Sequence, residues 1–144
     1  VRLVILIHTA ATLFMVGLIW FVQIVHYPLF NQVQTEAFML YEATHSRLTT
    51  LVIAPAFLLE TATAIFFLFS RPEGINAKLI YTGVALLAVI WLSTIFIQVP
   101  RHSLLAMGFN DQAYRELVFT NWLRTVAWSL RGVLSLWMVF KLMK

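Results

Sequence analysis

The 144-residue chain contains no cysteine. Disulfides, thiolate metal sites, iron–sulfur clusters and a thiol nucleophile are therefore excluded. Charge is scarce as well: Asp, Glu, Lys and Arg make up 11% of the residues, while 61% are hydrophobic and the mean hydropathy is +0.86. A soluble domain is nearer about a quarter charged and about half apolar. The composition predicts an all-α integral membrane protein, and the length allows one domain, 1–144. The net charge of +4 is spread among apolar runs and their ends, with no basic tract or aromatic-basic repeat. Nucleic acid is excluded as a partner on that ground, and the lipid bilayer is expected instead. The first apolar run is too long, and lacks a small-residue cleavage site, for a signal peptide.

Four segments have the length needed to cross a bilayer, roughly 20 residues: Leu3–Val25, Leu48–Ser70, Leu79–Val99 and Leu117–Phe140. The second and third are joined by the short "RPEGINAK", in which Pro72 and Gly74 act as breakers. Between the first and second, Phe30, Val33, Phe38 and Tyr41 recur at near-helical spacing and predict a short interfacial helix. Asn110 and Asp111 read as the N-cap of the fourth. Basic residues are sided. Arg2, Arg71, Lys78, Lys141 and Lys144 fall on the face of the termini, and Arg47, Arg101 and Arg115 fall on the other, beside Glu36, Glu42, Asp111 and Glu116. This bias predicts a bacterial inner-membrane protein with both termini cytoplasmic.

Polar residues recur along each segment at helical steps: His8, Thr12, Gln23 and His26; His45, Thr49, Glu60 and Thr63; Gly83, Thr94 and Gln98; Asn121, Arg124, Trp128, Arg131 and Ser135. Polar groups avoid lipid, so the stripes should face one another and define a four-helix bundle with a polar axis. Glu60 lies twelve residues into the second segment, roughly 18 Å at 1.5 Å per residue. Arg131 lies fourteen residues into the fourth, roughly 21 Å from the same face. Equal depth predicts an intramembrane ion pair between them, serving either as an architectural pin or as a proton or charge relay.

The densest polar group is expected at the opposite end. His26, His45 and His102 converge there from three segments, with Gln23, Gln98, Asn121 and Arg124 at or just below their level. Tyr27, Tyr41, Trp122 and Trp128 are expected as aromatic walls of a ligand pocket. Three imidazoles can hold copper, iron or zinc, and two on facing helices can clamp a haem. No H-x-x-x-H, H-E-x-x-H or E-x-x-H motif is read as tying them together along the chain. The arginines suit an anionic or carbonyl-bearing ligand, a quinone or a lipid headgroup. Arg47 and Arg101 fit phosphate anchors at the surface, whereas Arg124 lies too deep for that role.

The segments "QIVHYPLF", "YEATHSR", "APAFLLETATA", "WLSTIFIQVPRH" and "TNWLRTVAWSLR" resemble a group of small bacterial four-helix membrane proteins. More loosely, the chain is similar to the anthrone-oxygenase-like membrane family, through Tyr27, Pro28, His45, Asn121, Trp122 and Arg124. The resemblance implies four spans and, for the broader family, oxygen-dependent chemistry on aromatic polyketide-type substrates. Three functions are therefore expected to compete. One is a redox or oxygenase-type enzyme, or a cofactor-binding protein, acting on an apolar small molecule. Another is an accessory subunit of a membrane complex or homo-oligomer. The last is a transporter or proton path using Glu60 and Arg131, although the chain lacks the internal repeat common in transporters.

Overall fold

A computed structural model describes residues 1–143. Lys144, one of the basic residues assigned above to the terminal face, lies outside the described residues. Among the described residues every regular element is helical. They are α1 (Arg2–Phe21), α2 (Thr35–Phe69), α3 (Ala77–Ser93), α4 (Val99–Leu105) and α5 (Asp111–Leu142). Helix α1 packs on α2 and α5, and α3 packs on α5 and less extensively on α2.

Local chemistry explains the helix ends. Asn110 caps α5, its side chain accepting from the Ala113 amide at 2.8 Å, and Asn76 caps α3 by accepting from Lys78 N at 2.9 Å. Gly74 takes φ 73° in the tight turn between α2 and α3, a conformation that favours glycine. Two helices loosen where proline approaches. Helix α1 widens into a π turn at Val22–His26 and then tightens into a 3-10 turn at Tyr27–Gln32, which contains Pro28. Helix α3 widens into a π turn at Thr94–Gln98 and resumes as α4, with Pro100 in its first turn. Proline has no N–H and crowds the carbonyl four residues back, so a widened turn just before it absorbs the misfit.

The expected short interfacial helix is corrected. Phe30 sits in the 3-10 turn that prolongs α1, whereas Phe38 and Tyr41 belong to the first turns of the 35-residue α2. Helix α2 therefore starts thirteen residues before the predicted span. Glu42 and His45, which look too polar for a membrane span, are themselves buried and find partners in His102 and His26, and the helix runs through them.

The core is arranged in three tiers. Ile5, Phe67, Ile75, Ile80 and Met138 close the end that holds the N-terminus and the α2–α3 turn. Met15, Ile19, Phe57, Leu87, Ile90 and Trp128 fill the middle. Tyr27, Phe30, Phe38, Leu105 and Leu117 close the far end. There Glu116 accepts from Gln112 and Arg101, which hold its carboxyl below the usual range, and the Arg101 contact ties α4 to α5. Among the described residues three continuous helical runs, Arg2–Gln32, Thr35–Phe69 and Ala77–Leu105, are long and apolar enough to cross a membrane. The fourth expected span lies within α5, whose buried face carries Asn121, Arg124 and Arg131. Those groups lower its hydropathy and keep it outside that set.

Candidate ligand cleft and histidine–glutamate centre

The two π turns and α2 bring the polar residues of the far end together. His26 leaves the first π turn with its Nε2 2.8 Å from His45 Nδ1 on α2. Thr49, one turn along α2, places its Oγ1 3.1 Å from the same nitrogen. His45 stacks on His102 of α4 with ring centroids 5.5 Å apart. The expected convergence of three histidines from three segments is thus present in the geometry.

The centre also contains Glu42, which the sequence reading places among the surface charges. Its side chain is fully buried. Oε1 lies 2.5 Å from His102 Nδ1 and accepts from Ser46 at 3.1 Å, while Oε2 has no hydrogen-bond partner among the described residues. Glu42, His45 and His102 each offer one ligand atom within 4.8 Å of the others. The missed signal is "EATH": Glu42 and His45 are three apart on one helix and share a face. An E-x-x-H pair of this kind is a recurrent metal-ligating element in helical bundles.

His102 continues the network. Its Nε2 meets the Tyr27 hydroxyl at 2.9 Å. An ionised carboxylate only accepts, so in the neutral ring Nδ1 carries the proton and Nε2 accepts from Tyr27. Beside the Tyr27 hydroxyl lies the buried guanidinium of Arg124. Arg124 Nη1 donates to Asn121 Oδ1 at 3.3 Å, Asn121 Nδ2 donates to Gln23 Oε1 at 2.9 Å, and Gln23 Nε2 donates to the Val118 carbonyl at 3.1 Å. Thr125 adds a second donor to Gln23 Oε1 at 3.2 Å. A chain of polar contacts therefore runs from Gln23 through Asn121, Arg124, Tyr27 and His102 to Glu42.

Beside this chain, α2 and the α3–α4 arm diverge and leave a cavity of about 530 Å³. Tyr27, His45, His102, Gln98 and Arg124 form its polar end, and Ile53, Phe57, Leu58 and Trp91 form its apolar side. Gln98 is held by a bond from its Nε2 to Thr120 at 3.2 Å. Several expected lining residues lie elsewhere. Gln23 and Asn121 stand behind Arg124 and hold it, and His26 stands behind His45. Trp128 is fully buried among Phe57, Met15 and Ile90 in the middle tier, where its ring packs and its indole Nε1 has no hydrogen-bond partner among the described residues. Trp122 is 41% exposed and meets Trp20 edge to face on the outside of α1 and α5. Tyr41 is a wall of the histidine centre, stacking on His45 at 12°.

A second polar centre lies toward the other end. Arg131 donates from Nε to Glu60 Oε1 at 2.8 Å, and its Nη2 and Nη1 engage Glu60 Oε1 and the Gly83 carbonyl. Thr12 donates to the same carboxylate at 3.2 Å. His8 joins it, with Nδ1 2.8 Å from Thr63 Oγ1 and Nε2 3.9 Å from Glu60 Oε1. The middle tier, including Trp128 and Phe57, separates this pair from the cleft. Only about 20 Å³ of space adjoins Arg131, enough for one water.

The chain matches no protein-family model, no curated protein and no solved structure. The functional reading therefore rests on the site itself.

Proposed function

We propose that this is a transmembrane four-helix bundle whose cleft binds an apolar small molecule beside a metal ion held by Glu42, His45 and His102. On this reading it is a membrane-embedded redox or oxygenase-type enzyme. The observation that carries the proposal is the buried carboxylate of Glu42 converging with two imidazoles next to a 530 Å³ cleft. Two histidines and one carboxylate with open positions form the donor set of non-haem iron oxygenases, and the same set serves catalytic zinc. His26 and Thr49 would orient His45, as outer partners orient metal-bound imidazoles. An ion there would supply Lewis-acid or redox chemistry; Tyr27 and Arg124 would position a polar group of the ligand. The His45 and His102 rings are stacked and do not face each other end-on across a macrocycle, so the proposal takes a single ion and not a haem.

Membrane insertion belongs to the same proposal. It is supported by the three long apolar helices and by outward-facing Leu3, Phe21, Leu51, Phe69, Phe96 and Phe119, each more than half exposed. Apolar surface on that scale suits lipid and not water. The basic bias sets the termini in the cytoplasm and the cleft toward the outer face of a bacterial inner membrane. Kinship with the anthrone-oxygenase-like membrane family is included, on the strength of Tyr27, His45 and the Asn121–Trp122–Arg124 run. Glu60 and Arg131 are assigned an architectural role, because their groups are closed on each other behind the middle tier.

Elemental analysis of protein purified without metal-affinity resin tests the proposal. One iron or zinc ion per chain is expected in the parent, lost in Glu42→Gln and His102→Gln while helicity is retained. A parent protein that stays metal-free after incubation with Fe(II) or Zn(II) would contradict it.

A further inference from the structure

Among the described residues two arginines are buried in the interior, and they differ in their counter-charge. Arg131, 3% exposed, is closed on the Glu60 carboxylate. Arg124, 6% exposed, meets no carboxylate among the described residues. Its Nη1 donates to a neutral amide, Asn121; its other neighbour is the Tyr27 hydroxyl; and its Nε has no hydrogen-bond partner among the described residues. Glu42 is reached only through Tyr27 and His102, and its Oε1 is already engaged by His102 Nδ1. A guanidinium does not shed its proton in a protein. A buried charge without an opposite partner costs several kcal/mol, so such a residue is normally completed by something. Arg124 lines the cleft.

We infer that the cleft takes an amphipathic anion, an apolar molecule bearing one ionised carboxylate. The carboxylate sits against the Arg124 guanidinium, and the apolar body lies along Ile53, Phe57 and Trp91 between α2 and the α3–α4 arm. The planar fork of a guanidinium matches a carboxylate better than it matches a neutral oxygen. A phosphodiester headgroup carries the same single charge but is tetrahedral and bears four oxygens. Among the described residues Arg124 is the one cationic side chain lining the cleft, so a planar carboxylate fits its fork better. The volume falls in the range of small-molecule sites, roughly 300–1,000 Å³. On the rim, Thr50, Val99 and Ser103 are exposed, so the cleft opens sideways between α2 and α4 and a long tail can pass outward. This inference rests on the reading of the cleft as a ligand site, and it is independent of the metal.

The test uses oleate labelled with ¹³C at the carboxyl and its methyl ester, each titrated into the full chain in a neutral maltoside detergent. The expected result is a saturable bound-carboxylate NMR signal in the parent, with the ester competing for it at least about tenfold more weakly than unlabelled oleate, the loss of one charge-assisted contact. Arg124→Gln should lower oleate affinity by a similar factor. Arg124→Lys, which keeps charge but not the fork, should fall between. The acid–ester comparison needs no variant, so a folding defect in either substitution leaves the test intact. Equal competition by acid and ester overturns the inference while leaving an apolar ligand site in place. Unchanged oleate affinity in a folded Arg124→Gln protein also overturns it. Saturable binding of neither compound would remove the ligand site and the inference together.

Discussion

The Nδ1 of His102 lies 2.5 Å from Oε1 of Glu42, a carboxylate with no exposed surface. A buried carboxylate needs a cation, a metal or several donors to be tolerated. Among the described residues Glu42 has only His102 and Ser46, with Oε2 left over. The proposed ion would complete this carboxylate; in the metal-free protein the His102 contact carries it, and that contact is tested by substitution there.

In Glu42→Gln the acceptor becomes an amide of the same size, and the His102 Nδ1 proton loses its carboxylate. The ¹⁵N resonances of His102 should move toward a mixture of tautomers, because Nε2 can then donate to Tyr27. His8, in the other centre, should not shift. An unchanged His102 spectrum would show that Glu42 does not fix the ring.

Glu60 and Arg131 should behave as one unit. Breaking a buried pair from one side costs about 3–5 kcal/mol, so Glu60→Gln and Arg131→Gln should each lower thermal stability in detergent clearly. The double substitution should recover part of the loss, since neither charge is then orphaned. Strictly additive losses would show that the two side chains are held independently by Thr12, His8 and the Gly83 carbonyl.

The α1–α5 seam is close-packed at Gly132, where an added Cβ would stand 3.1 Å from Val16 Cγ2. Gly132→Val should therefore destabilise by about 1–3 kcal/mol through overpacking. Val16→Ala in the same chain should restore part of it. At Gly83 the nearest atom to an added Cβ is Arg131 Nη1 at 3.7 Å, ordinary contact, so Gly83→Ala should be tolerated. The contrast is read from unfolding midpoints of the variants in one detergent.

Much of this architecture is legible in the sequence, and the failures have physical causes. Long apolar runs, Asn110 before "DQAY" and the Gly74 turn signal helices and their ends directly. Periodicity places Arg131 on the buried face of α5, and equal depth pairs it with Glu60. Glu42 is missed because charge is read as surface before partners are known, although its three-residue step to His45 is visible. The start of α2 is missed for the same reason. Trp128 is misplaced because helical stepping gives the face of a residue but not its tier, and three tiers share that face. The π turns before Pro28 and Pro100 have only the prolines as their signal, and they re-aim His26 and Tyr27 in ways a regular helix does not.

Orientation is open to a direct test. A reporter active only in the cytoplasm, fused after Lys144, should be active if the basic bias holds. Arg115→Lys is the control for the pocket arginine: Arg115 pairs with Asp111 at the surface, three-quarters exposed, and its replacement should leave stability and ligand binding unchanged. Activity of a periplasm-only reporter would invert the membrane assignment of the cleft.

X-ray absorption at the metal edge tests the proposed metal site at Glu42, His45 and His102 most directly. Protein loaded with Fe(II) or Zn(II) should show a coordination shell of nitrogen and oxygen at about 2.0–2.2 Å, with outer-shell scattering from two imidazoles. Glu42→Gln should lose oxygen from that shell, and His45→Ala should lose one imidazole. A shell of water oxygens alone, or one unaffected by either substitution, would contradict the assignment of Glu42, His45 and His102 as ligands.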